Sequence, residues 1–381
     1  MTLFLLTFFL VYGGAHLYLF AKIKAVLHLG IGANIGLIIF MVIMILAPIA
    51  VRISERYGYE TLARFMSYAG YIWMGVLFLF FVSSLLFDFY RLLTYVASLI
   101  LRRDLSHLAI TPVYAFVIPM LISLGINTYG YFEAKNIRIE KMTIQSSKIP
   151  EAAGRIRIVQ ISDVHIGLIV RDERLQRIVE EIKKTEPDIL VATGDLLDGQ
   201  INRLEEPLTN LREINPRYGK FAITGNHEFF AGIDQALTFL RGAGFVVLRG
   251  EGLNVAGMVN IAGVDDPTGV RFGLARPVSE KAMLSGLARQ YFTILLKHQP
   301  VLDSDAAGYF DLQISGHTHG GQIFPFNFVT KRFFPLNRGY FNLSNDSHLY
   351  VSRGAGTWGP PIRFLSPPEI AVIDLIHYKK P

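Results

Sequence analysis

Side chains of metal-binding type follow five short apolar runs in the second half of the sequence. Each run is rich in residues typical of a buried strand, and each leads into Asp, Asn or His. The strands of an open α/β sheet bind ligands at their carboxyl ends, so side chains far apart in sequence can converge there. The five blocks are Asp163-Val-His165, Gly194-Asp195-Leu-Leu-Asp198, Gly225-Asn226-His227-Glu228, His298 and Gly316-His317-Thr-His319.

The grouping of these side chains favours one shared metal site over separate structural roles. A single Asp after a strand is most often a turn residue or a helix cap, and a single His is most often a packed or surface group. Five of the ten histidines, however, fall within these blocks. Since the sequence has no cysteine, thiolate ligands are excluded, and any metal must be bound by imidazole, carboxylate or amide groups.

Alternating strands and helices are predicted around the blocks. The run Arg155–Ser162, a helical periodicity over Asp172–Lys184 and the run Asp188–Thr193 together predict a βαβ unit. Further strands are predicted at Phe221–Thr224, Phe245–Leu248, Val259–Val264, Phe292–Leu296, Leu312–Ser315, His348–Ser352 and Ile370–Ile376. We therefore expect a layered α/β domain whose glycine-rich turns hold the candidate ligands.

Taken together and in this order, the five blocks resemble the signature of the calcineurin-like metallophosphoesterases. The resemblance covers about residues 155–376 and implies an αββα four-layer sandwich that holds two divalent metals. It implies seven ligands, which are Asp195 as the bridge, Asp163, His165 and His319 for one metal, and Asn226, His298 and His317 for the other. Mixed nitrogen and oxygen ligands suit manganese, iron or zinc better than calcium.

The same resemblance implies roles for side chains around the metals. Asp195 and His227 are the catalytic residues, with His227 near the leaving oxygen, where an imidazolium stabilises charge or gives a proton. Asn226 is expected to contact the substrate as well as a metal. Asp198 and Glu228 are expected to orient the ligands without binding a metal themselves.

A C-terminal stretch indicates a particular branch of the family. Leu349–Ile370 and the block Gly316–Gln322 resemble a bacterial membrane-associated branch related to UDP-2,3-diacylglucosamine pyrophosphatase. Within that stretch Arg353 and Arg363 flank a glycine-rich turn, and each is a candidate to bind a substrate phosphate as a bidentate donor. The alternative is that these arginines cover apolar strand ends.

Residues 1–132 lie outside this resemblance and predict a membrane domain. Four segments are long and apolar enough to span a bilayer and contain no Asp, Glu, Lys or Arg. They are Leu3–Phe20, Gly30–Val51, Phe65–Phe87 and Leu105–Phe132, the third continuing as helix towards Leu101. We expect a four-helix transmembrane domain at 1–132, a polar connector at 133–154 and the metallophosphoesterase domain at 155–381.

The net charge of +6 belongs to the first part of the chain. Residues 1–150 hold 12 Lys and Arg against 6 Asp and Glu, whereas residues 151–381 hold 25 against 25. This balance argues against long nucleic acids as partners of the second part. Seven basic residues lie beside the membrane on the side of that part and five on the opposite side. The difference favours a cytoplasmic catalytic domain in the bacterial cell membrane.

The segment Ile323–Phe341 is too apolar for an ordinary loop. It contains seven aromatic residues together with Lys331, Arg332 and Arg338. Such a segment can enter the headgroup layer of a bilayer and pass a lipid phosphate to the metals. The alternative is that it packs over the sandwich or against the four spans.

Three functions are compatible with these residues. The first is a membrane-anchored dinuclear phosphoesterase that hydrolyses a phosphate ester or pyrophosphate of a lipid or lipid-linked substrate. The second is a nucleotide phosphodiesterase on the same metal site. The third is a non-catalytic membrane scaffold, which ranks last because every implied ligand position is filled.

Overall fold

A computed structural model of the 381-residue chain describes residues 2–171, 173–199, 205–344 and 346–378. The chain divides into two compact units. The first comprises Met1–Phe132 with Gly359–Ile362, and the second comprises Glu133–Trp358 with Arg363–Pro381. Each unit is described by itself below.

The first unit consists of long apolar helices. They are α1 (Thr2–Val26), α2 (Ile31–Arg56), α3 (Glu60–Leu101) and α4 (Pro112–Glu133). Within the described ranges, four helical segments are long and apolar enough to cross a membrane, as predicted. At about 1.5 Å per residue, the 42 residues of α3 extend roughly 63 Å, about twice the hydrocarbon thickness of a bilayer. The predicted continuation of the third span to Leu101 is therefore confirmed.

Polar side chains on these helices have partners within the first unit. His16 is buried, and its Nδ1 lies 2.8 Å from a backbone carbonyl while its Nε2 accepts a hydrogen bond from Trp73 Nε1 at 2.9 Å. Asp88 accepts hydrogen bonds from Tyr18 at 2.6 Å and Lys22 at 2.5 Å, which joins α3 to α1. These contacts give His16 and Asp88 structural roles in helix packing.

The second unit contains twelve strands and seven helices in the part of the chain that is described. The strands are β1 (Arg138–Ser146), β2 (Arg155–Ile161), β3 (Ile189–Thr193), β4 (Lys220–Ile223), β5 (Phe245–Val247), β6 (Glu251–Val255), β7 (Val259–Gly263), β8 (Phe292–Leu296), β9 (Leu312–Ser315), β10 (Gly339–Asn342), β11 (His348–Val351) and β12 (Glu369–His377). The helices are α5 (Glu173–Lys184), α6 (Glu205–Arg212), α7 (Asn226–Ala231), α8 (Ile233–Gly242), α9 (Pro267–Arg271), α10 (Glu280–Ser285) and α11 (Asn327–Phe333).

The strands form two sheets that pack face to face. One sheet has the order β1-β12-β2-β3-β4-β5 and the other β10-β11-β9-β8-β7-β6. Successive residues of a strand point to opposite faces, so Ile158 of β2 packs against the second sheet while Val159 packs beneath α5, α6 and α8. On the far side, Leu295 of β8 packs with Leu284 of α10. The predicted αββα sandwich is confirmed.

Parallel pairing brings the ends of several strands to one edge. β2, β3 and β4 run parallel in the first sheet, and β7, β8 and β9 run parallel in the second. These strands are almost entirely buried, which explains why they appear in the sequence as continuous apolar runs. The five blocks begin at the carboxyl ends of β2, β3, β4, β8 and β9.

Three strands and the start of the α/β domain differ from the sequence-based expectation. The segment 133–154 holds β1, which pairs in parallel with β12 over nine residues from Arg138↔Glu369 to Ser146↔His377. It therefore belongs to the sheet and is not a connector. β6 and β10 were not predicted, because both are partly exposed and lack a continuous apolar run. The helix predicted over residues 172–184 begins at Glu173, and Asp172 lies outside the described residues.

Candidate metal centre

The blocks follow directly on five buried strands. Asp163 and His165 come after β2, Asp195 comes after β3, and Asn226 comes after β4. The remaining ligands come from the second sheet, with His298 after β8 and His317 and His319 after β9. The seven candidate ligands therefore gather where the carboxyl edges of the two sheets meet.

One cluster joins Asp163, His165 and His319. Their ligand atoms all lie within 4.8 Å of one another, and the three side chains are buried. His165 Nε2 lies 3.1 Å from His319 Nε2, and His319 Nε2 lies 3.7 Å from Asp163 Oδ1. His319 lies more than 150 positions from Asp163 and His165 in the sequence, so the sandwich brings it to them.

A second cluster joins Asp195, His298 and His317. His298 Nε2 lies 3.1 Å from Asp195 Oδ2, 3.1 Å from His317 Nδ1 and 3.3 Å from Asn226 Oδ1. Asp195 Oδ2 also lies 4.0 Å from His165 Nε2 of the first cluster. One carboxylate oxygen of Asp195 therefore faces both clusters.

These distances fit a site built for cations. Neighbouring ligands around a metal with bonds of about 2.1 Å lie roughly 3.0–3.4 Å apart, and the separations of 3.1 and 3.3 Å match. Nitrogen and oxygen lone pairs that face one another in a buried space need a proton or a cation between them. The donor set of imidazole, carboxylate and amide suits a divalent metal of the first transition row.

The orientation of His298 is fixed from outside the cluster. Its Nδ1 donates a hydrogen bond to the Thr193 carbonyl at 2.8 Å, at the end of β3. When a cation replaces the proton on Nε2, this hydrogen bond would keep the neutral ring oriented with its Nε2 lone pair towards the cluster, as in metal-binding histidines. The strand that leads into Asp195 therefore also sets the tautomer of His298.

The backbone around the ligands is strained. Five of the seven candidate ligands have a positive φ, namely Asp163 (51°), His165 (54°), Asp195 (51°), His317 (71°) and His319 (49°). Such a backbone costs of order 1–3 kcal/mol per residue and persists only when the surroundings enforce it. Strain concentrated on the ligands indicates that the fold maintains this cluster for a function.

Close backbone approach explains two of the glycines in the blocks. A Cβ atom at Gly225 would lie 2.2 Å from Asp195 Oδ1, and a Cβ at Gly316 would lie 2.3 Å from Asp163 Oδ2. No other residue type has room at either position. Each aspartate is further held by a backbone N–H, from His227 to Asp195 Oδ1 at 2.8 Å and from His317 to both oxygens of Asp163 at 3.0 Å.

Burial sets the protonation of the histidine ligands. It lowers the pKa of His165 and of His317 to about 4, and that of His319 well below its usual value. These rings are neutral at pH 7, which is the form that binds metals. Burial would raise the pKa of Asp195, but the charges of His298 and His227 hold it well below its usual value, so the carboxylate is ionised.

The protonation of His298 reflects the negative charge of the cluster. Burial acts to lower its pKa, but the charges of Asp195 and Asp163 together with the hydrogen bond to Asp195 raise it well above the usual value. The proton on His298 thus supplies a positive charge beside the buried carboxylates. A bound cation would supply that charge instead and would release the proton.

Glu228 fixes the backbone of the turn after β3. Its buried carboxylate accepts hydrogen bonds from the backbone N–H groups of Asp195 (2.9 Å), Leu196 (2.8 Å), Leu197 (3.1 Å) and Gly225 (2.7 Å). Glu228 therefore orients the peptide that carries Asp195, as well as the turn that leads into α7, and makes no contact of this kind with a ligand side chain.

We expect Glu228→Gln to destabilise the fold and loosen metal binding. The amide has one acceptor oxygen in place of two, so two of the four buried N–H groups would lose their acceptor, and each unsatisfied group costs about 1–3 kcal/mol. A loss of about 2–4 kcal/mol in the free energy of unfolding should appear as a lower Tm. Glu181→Gln on α5, a partly exposed residue that pairs with Lys184, is the control, and equal Tm values for the two variants would contradict this role.

Asp198 contacts His227. Asp198 Oδ1 lies 2.8 Å from His227 Nδ1, so Nδ1–H donates to the carboxylate. Burial lowers the pKa of His227, but the charge of Asp195 and the hydrogen bond to Asp198 outweigh it and raise that pKa to about 9. His227 is therefore an imidazolium at pH 7, and the Asp198 carboxylate stabilises its charge.

We expect Asp198→Asn to move the alkaline limb of the pH–rate profile to lower pH. If protonated His227 assists the leaving group, activity falls as pH rises through its pKa, and removing the carboxylate lowers that pKa. The measurement is kcat against pH for a phosphodiester, beside a buffer-matched wild-type profile. An unchanged alkaline limb would show that the Asp198–His227 pair does not control the titration.

Both arginines that are candidates to bind a substrate phosphate already form hydrogen bonds or ion pairs within the protein. Arg363 is fully buried, and its guanidinium donates to the carbonyls of Gly354, Gly356, His319 and Ser366 at 2.7–3.3 Å. Arg363 Nη2 also lies 3.1 Å from His319 Nδ1. A group enclosed in this way has no donor left for a substrate, so the prediction for Arg363 is wrong.

The same correction applies to Arg353. Its guanidinium forms ion pairs with Glu369 at 2.5 Å and with Glu140 of β1. Glu369 also accepts a hydrogen bond from Tyr350 at 2.6 Å. Two carboxylates neutralise this arginine, which connects β1, β11 and β12. The alternative expectation, a structural arginine at strand ends, describes both residues better.

Two aromatic side chains near the clusters, Phe230 and Trp358, were not identified from the sequence. Phe230 and Trp358 lie edge-on to His227, with ring centroids 5.5 and 5.9 Å away, and both are about half exposed. Trp358 is held through its backbone, because Gln322 both accepts from its N–H at 3.0 Å and donates to its carbonyl at 2.9 Å. On the other side, Phe334 lies 5.0 Å from the His317 ring. No spacing rule links Phe230 or Trp358 to the blocks, whereas Phe334 lies within the aromatic segment Ile323–Phe341 noted in the sequence.

Comparison with known proteins agrees with this geometry. The pattern of the Calcineurin-like phosphoesterase family matches residues 156–321. An uncharacterized metallophosphoesterase of Aquifex aeolicus (strain VF5) is 40% identical over 257 residues, which cover 67% of this chain and 98% of that protein. The chain belongs to the calcineurin-like metallophosphoesterase family. The family resemblance inferred from the five blocks is confirmed.

Other metallophosphoesterases share the similarity. An uncharacterized metallophosphoesterase of Campylobacter jejuni is 32% identical over 303 residues, 77% of this chain and 78% of that protein. A "Transmembrane protein with metallophosphoesterase domain" of Danio rerio is 32% identical over 272 residues, 68% of this chain and 62% of that protein. This metallophosphoesterase is a metal-dependent phosphoester hydrolase, and its four apolar helices mark it as a membrane protein.

Proposed function

We propose that the α/β unit holds two divalent cations and hydrolyses a phosphate ester or pyrophosphate of a lipid or lipid-linked substrate, anchored by the helices of residues 1–132. The observation that carries the two-cation site is the position of Asp195. Its Oδ2 faces His298 at 3.1 Å and His165 at 4.0 Å, so one carboxylate is shared by two clusters. Manganese, iron or zinc fits the donor set.

The ligand set divides between the two cations. Asp163, His165 and His319 would hold one, Asn226, His298 and His317 the other, and Asp195 would bridge them. When bound, the pair would supply Lewis-acid polarisation of a phosphoryl oxygen and activation of a water. Imidazolium His227, oriented by Asp198, would donate a proton from Nε2 to the leaving oxygen. Asn226 lies one residue before His227 and would also contact the phosphoryl group.

An apolar leaving group is supported by the surroundings of His227. Phe230, Phe272 and Trp358 are each about half exposed, and Phe230 lies next to both His227 and Phe272. Rings beside the proton donor would pack against the part of the substrate that departs. Within the family, the resemblance of Leu349–Ile370 to the branch related to UDP-2,3-diacylglucosamine pyrophosphatase agrees with a lipid-linked pyrophosphate.

The same rings support one alternative, a nucleotide phosphodiesterase, because aromatic faces also stack on nucleobases. The test is a comparison of kcat/KM for lipid-linked pyrophosphates, nucleotide diesters and a chromogenic phosphodiester, using full-length protein loaded with manganese. We expect the lipid-linked substrate to be preferred. A preference for nucleotides would favour the alternative, and no hydrolysis of any ester would favour a non-catalytic scaffold.

We further propose that the catalytic unit faces the cytoplasm of a bacterial cell. The support is the excess of basic residues, seven against five, on its side of the predicted spans. Because the chain has no cysteine, Val246→Cys at the exposed middle residue of β5 provides a single reporter thiol. A membrane-impermeant maleimide should label it only after lysis, and labelling of intact cells would reverse the assignment.

A further inference from the structure

An exposed aromatic segment borders the metal centre. Residues 324–338, here called the aromatic-basic loop, contain five phenylalanines, Lys331, Arg332 and Arg338, and no Asp or Glu. Helix α11 lies within this loop and buries none of its side chains. Phe328 is 64% exposed and Phe333 is 72% exposed. Large apolar side chains grouped in this way on a surface mark an interaction site.

The inner side of the loop is fixed to the turn that carries two ligands. Thr318, between His317 and His319, donates a hydrogen bond to the Asn337 carbonyl at 2.5 Å. Phe334 packs edge-on against the His317 ring with a centroid distance of 5.0 Å. Phe333, on the outer face of the loop, directly precedes Phe334 in the sequence. The outer face is therefore adjacent in the chain to a side chain that contacts the candidate ligand His317.

The composition of the outer face selects its partner. Lys331, Arg332 and Arg338 are exposed in the same segment as Phe328 and Phe333, so the surface combines positive charge with apolar rings. Anionic headgroups complement the charge, and the headgroup–acyl boundary accepts the rings. The chain also carries four helices able to span a membrane, so a bilayer is an available partner.

We propose that the aromatic-basic loop binds the surface of an anionic bilayer. Phe328 and Phe333 enter the headgroup–acyl boundary, and Lys331, Arg332 and Arg338 contact lipid phosphates. Binding of the loop to a bilayer rests on the proposed function and extends it, because the loop would place a lipid phosphate beside His317. Binding to the bilayer can nevertheless be measured without any hydrolysis, so the two ideas can fail separately.

A single engineered thiol tests the contact on full-length protein. Phe333→Cys and, as a matched exposed control, Val246→Cys each give one labelling site in a cysteine-free chain. The NBD-labelled proteins are compared in amphipol and in nanodiscs of phosphatidylglycerol and phosphatidylethanolamine. We expect a blue-shifted, bromolipid-quenched emission for position 333 in nanodiscs only, and a water-exposed emission for position 246 throughout.

Two outcomes would overturn the proposal. One is a label at position 333 that stays as water-exposed in anionic nanodiscs as the label at position 246. The other is a label already shielded in amphipol, which would place the loop against protein. In the supporting case, replacing Lys331, Arg332 and Arg338 with Gln should return the label to water, and an unchanged emission would show that the charges play no part.

Activity gives an independent readout that leaves the metal ligands untouched. We expect Phe328→Ser with Phe333→Ser to lower kcat/KM for a lipid substrate in nanodiscs by about tenfold, and to leave a soluble phosphodiester unaffected. Phe334 is kept, because it packs against His317. Equal losses on both substrates would assign the two phenylalanines to folding of the loop and overturn the role in lipid binding.

Discussion

Asp195→Asn should abolish hydrolysis while the protein stays folded. The amide preserves the shape of the side chain and can still accept the His227 N–H bond that Asp195 Oδ1 receives at 2.8 Å. It removes the negative charge that both clusters share through Oδ2. Loss of a group that only orients a ligand costs 10–100-fold, so loss of the bridge should lower kcat/KM about a thousandfold or more.

The decisive comparison for Asp195 is with a conservative change elsewhere. Asp305→Asn alters an exposed aspartate in a turn and should keep full activity. Far-ultraviolet circular dichroism and Tm confirm that both variants fold. If Asp195→Asn retained a tenth or more of the activity on a chromogenic phosphodiester, Asp195 would not bridge two metals.

Arg363→Met should strongly destabilise the α/β unit. The methionine fills part of the volume but leaves the carbonyls of Gly356 and Ser366 without the guanidinium donor, whereas those of Gly354 and His319 keep a backbone N–H. An unsatisfied buried polar group costs about 1–3 kcal/mol, so a total of roughly 3–5 kcal/mol is expected after relaxation. Because His319 contacts the same guanidinium, metal retention should fall with Tm.

Arg363→Lys separates the charge from the hydrogen bonds. An ammonium keeps the positive charge but offers three donors without the planar fork of arginine, so stability and activity should lie between wild type and Arg363→Met. Arg155→Met, on a half-exposed residue paired with Asp374 at 3.8 Å, is the control and should change Tm little. A normal Tm with lost phosphate binding would instead return Arg363 to a role in substrate recognition.

The fold followed from the sequence where burial was complete. β2, β3, β8 and β9 are buried on both faces, so each appears as an apolar run ending at its block. β1 could not be recognised in this way, because its burial alternates irregularly and its partner β12 lies more than 200 residues later. Only the tertiary pairing turns that polar segment into a strand.

The candidate metal ligands were predictable from the sequence, but the side chains around them were not. Ligand types at the ends of strands can be read from spacing, and the sandwich places Asp163 beside His319 as expected. The surroundings of the ligands depend on packing that no local pattern encodes. In the sequence, Arg353 and Arg363 lie beside a glycine-rich turn and are compatible with a phosphate site. In the fold, their partners are carboxylates and backbone carbonyls instead.

Elemental analysis of the purified full-length protein tests the central claim most directly. After loading with manganese and removal of free metal, the shared position of Asp195 predicts two ions per chain for the wild type and one or none for Asp195→Asn. A wild-type chain that retains a single ion, or none, would contradict a dinuclear centre at the junction of the two sheets.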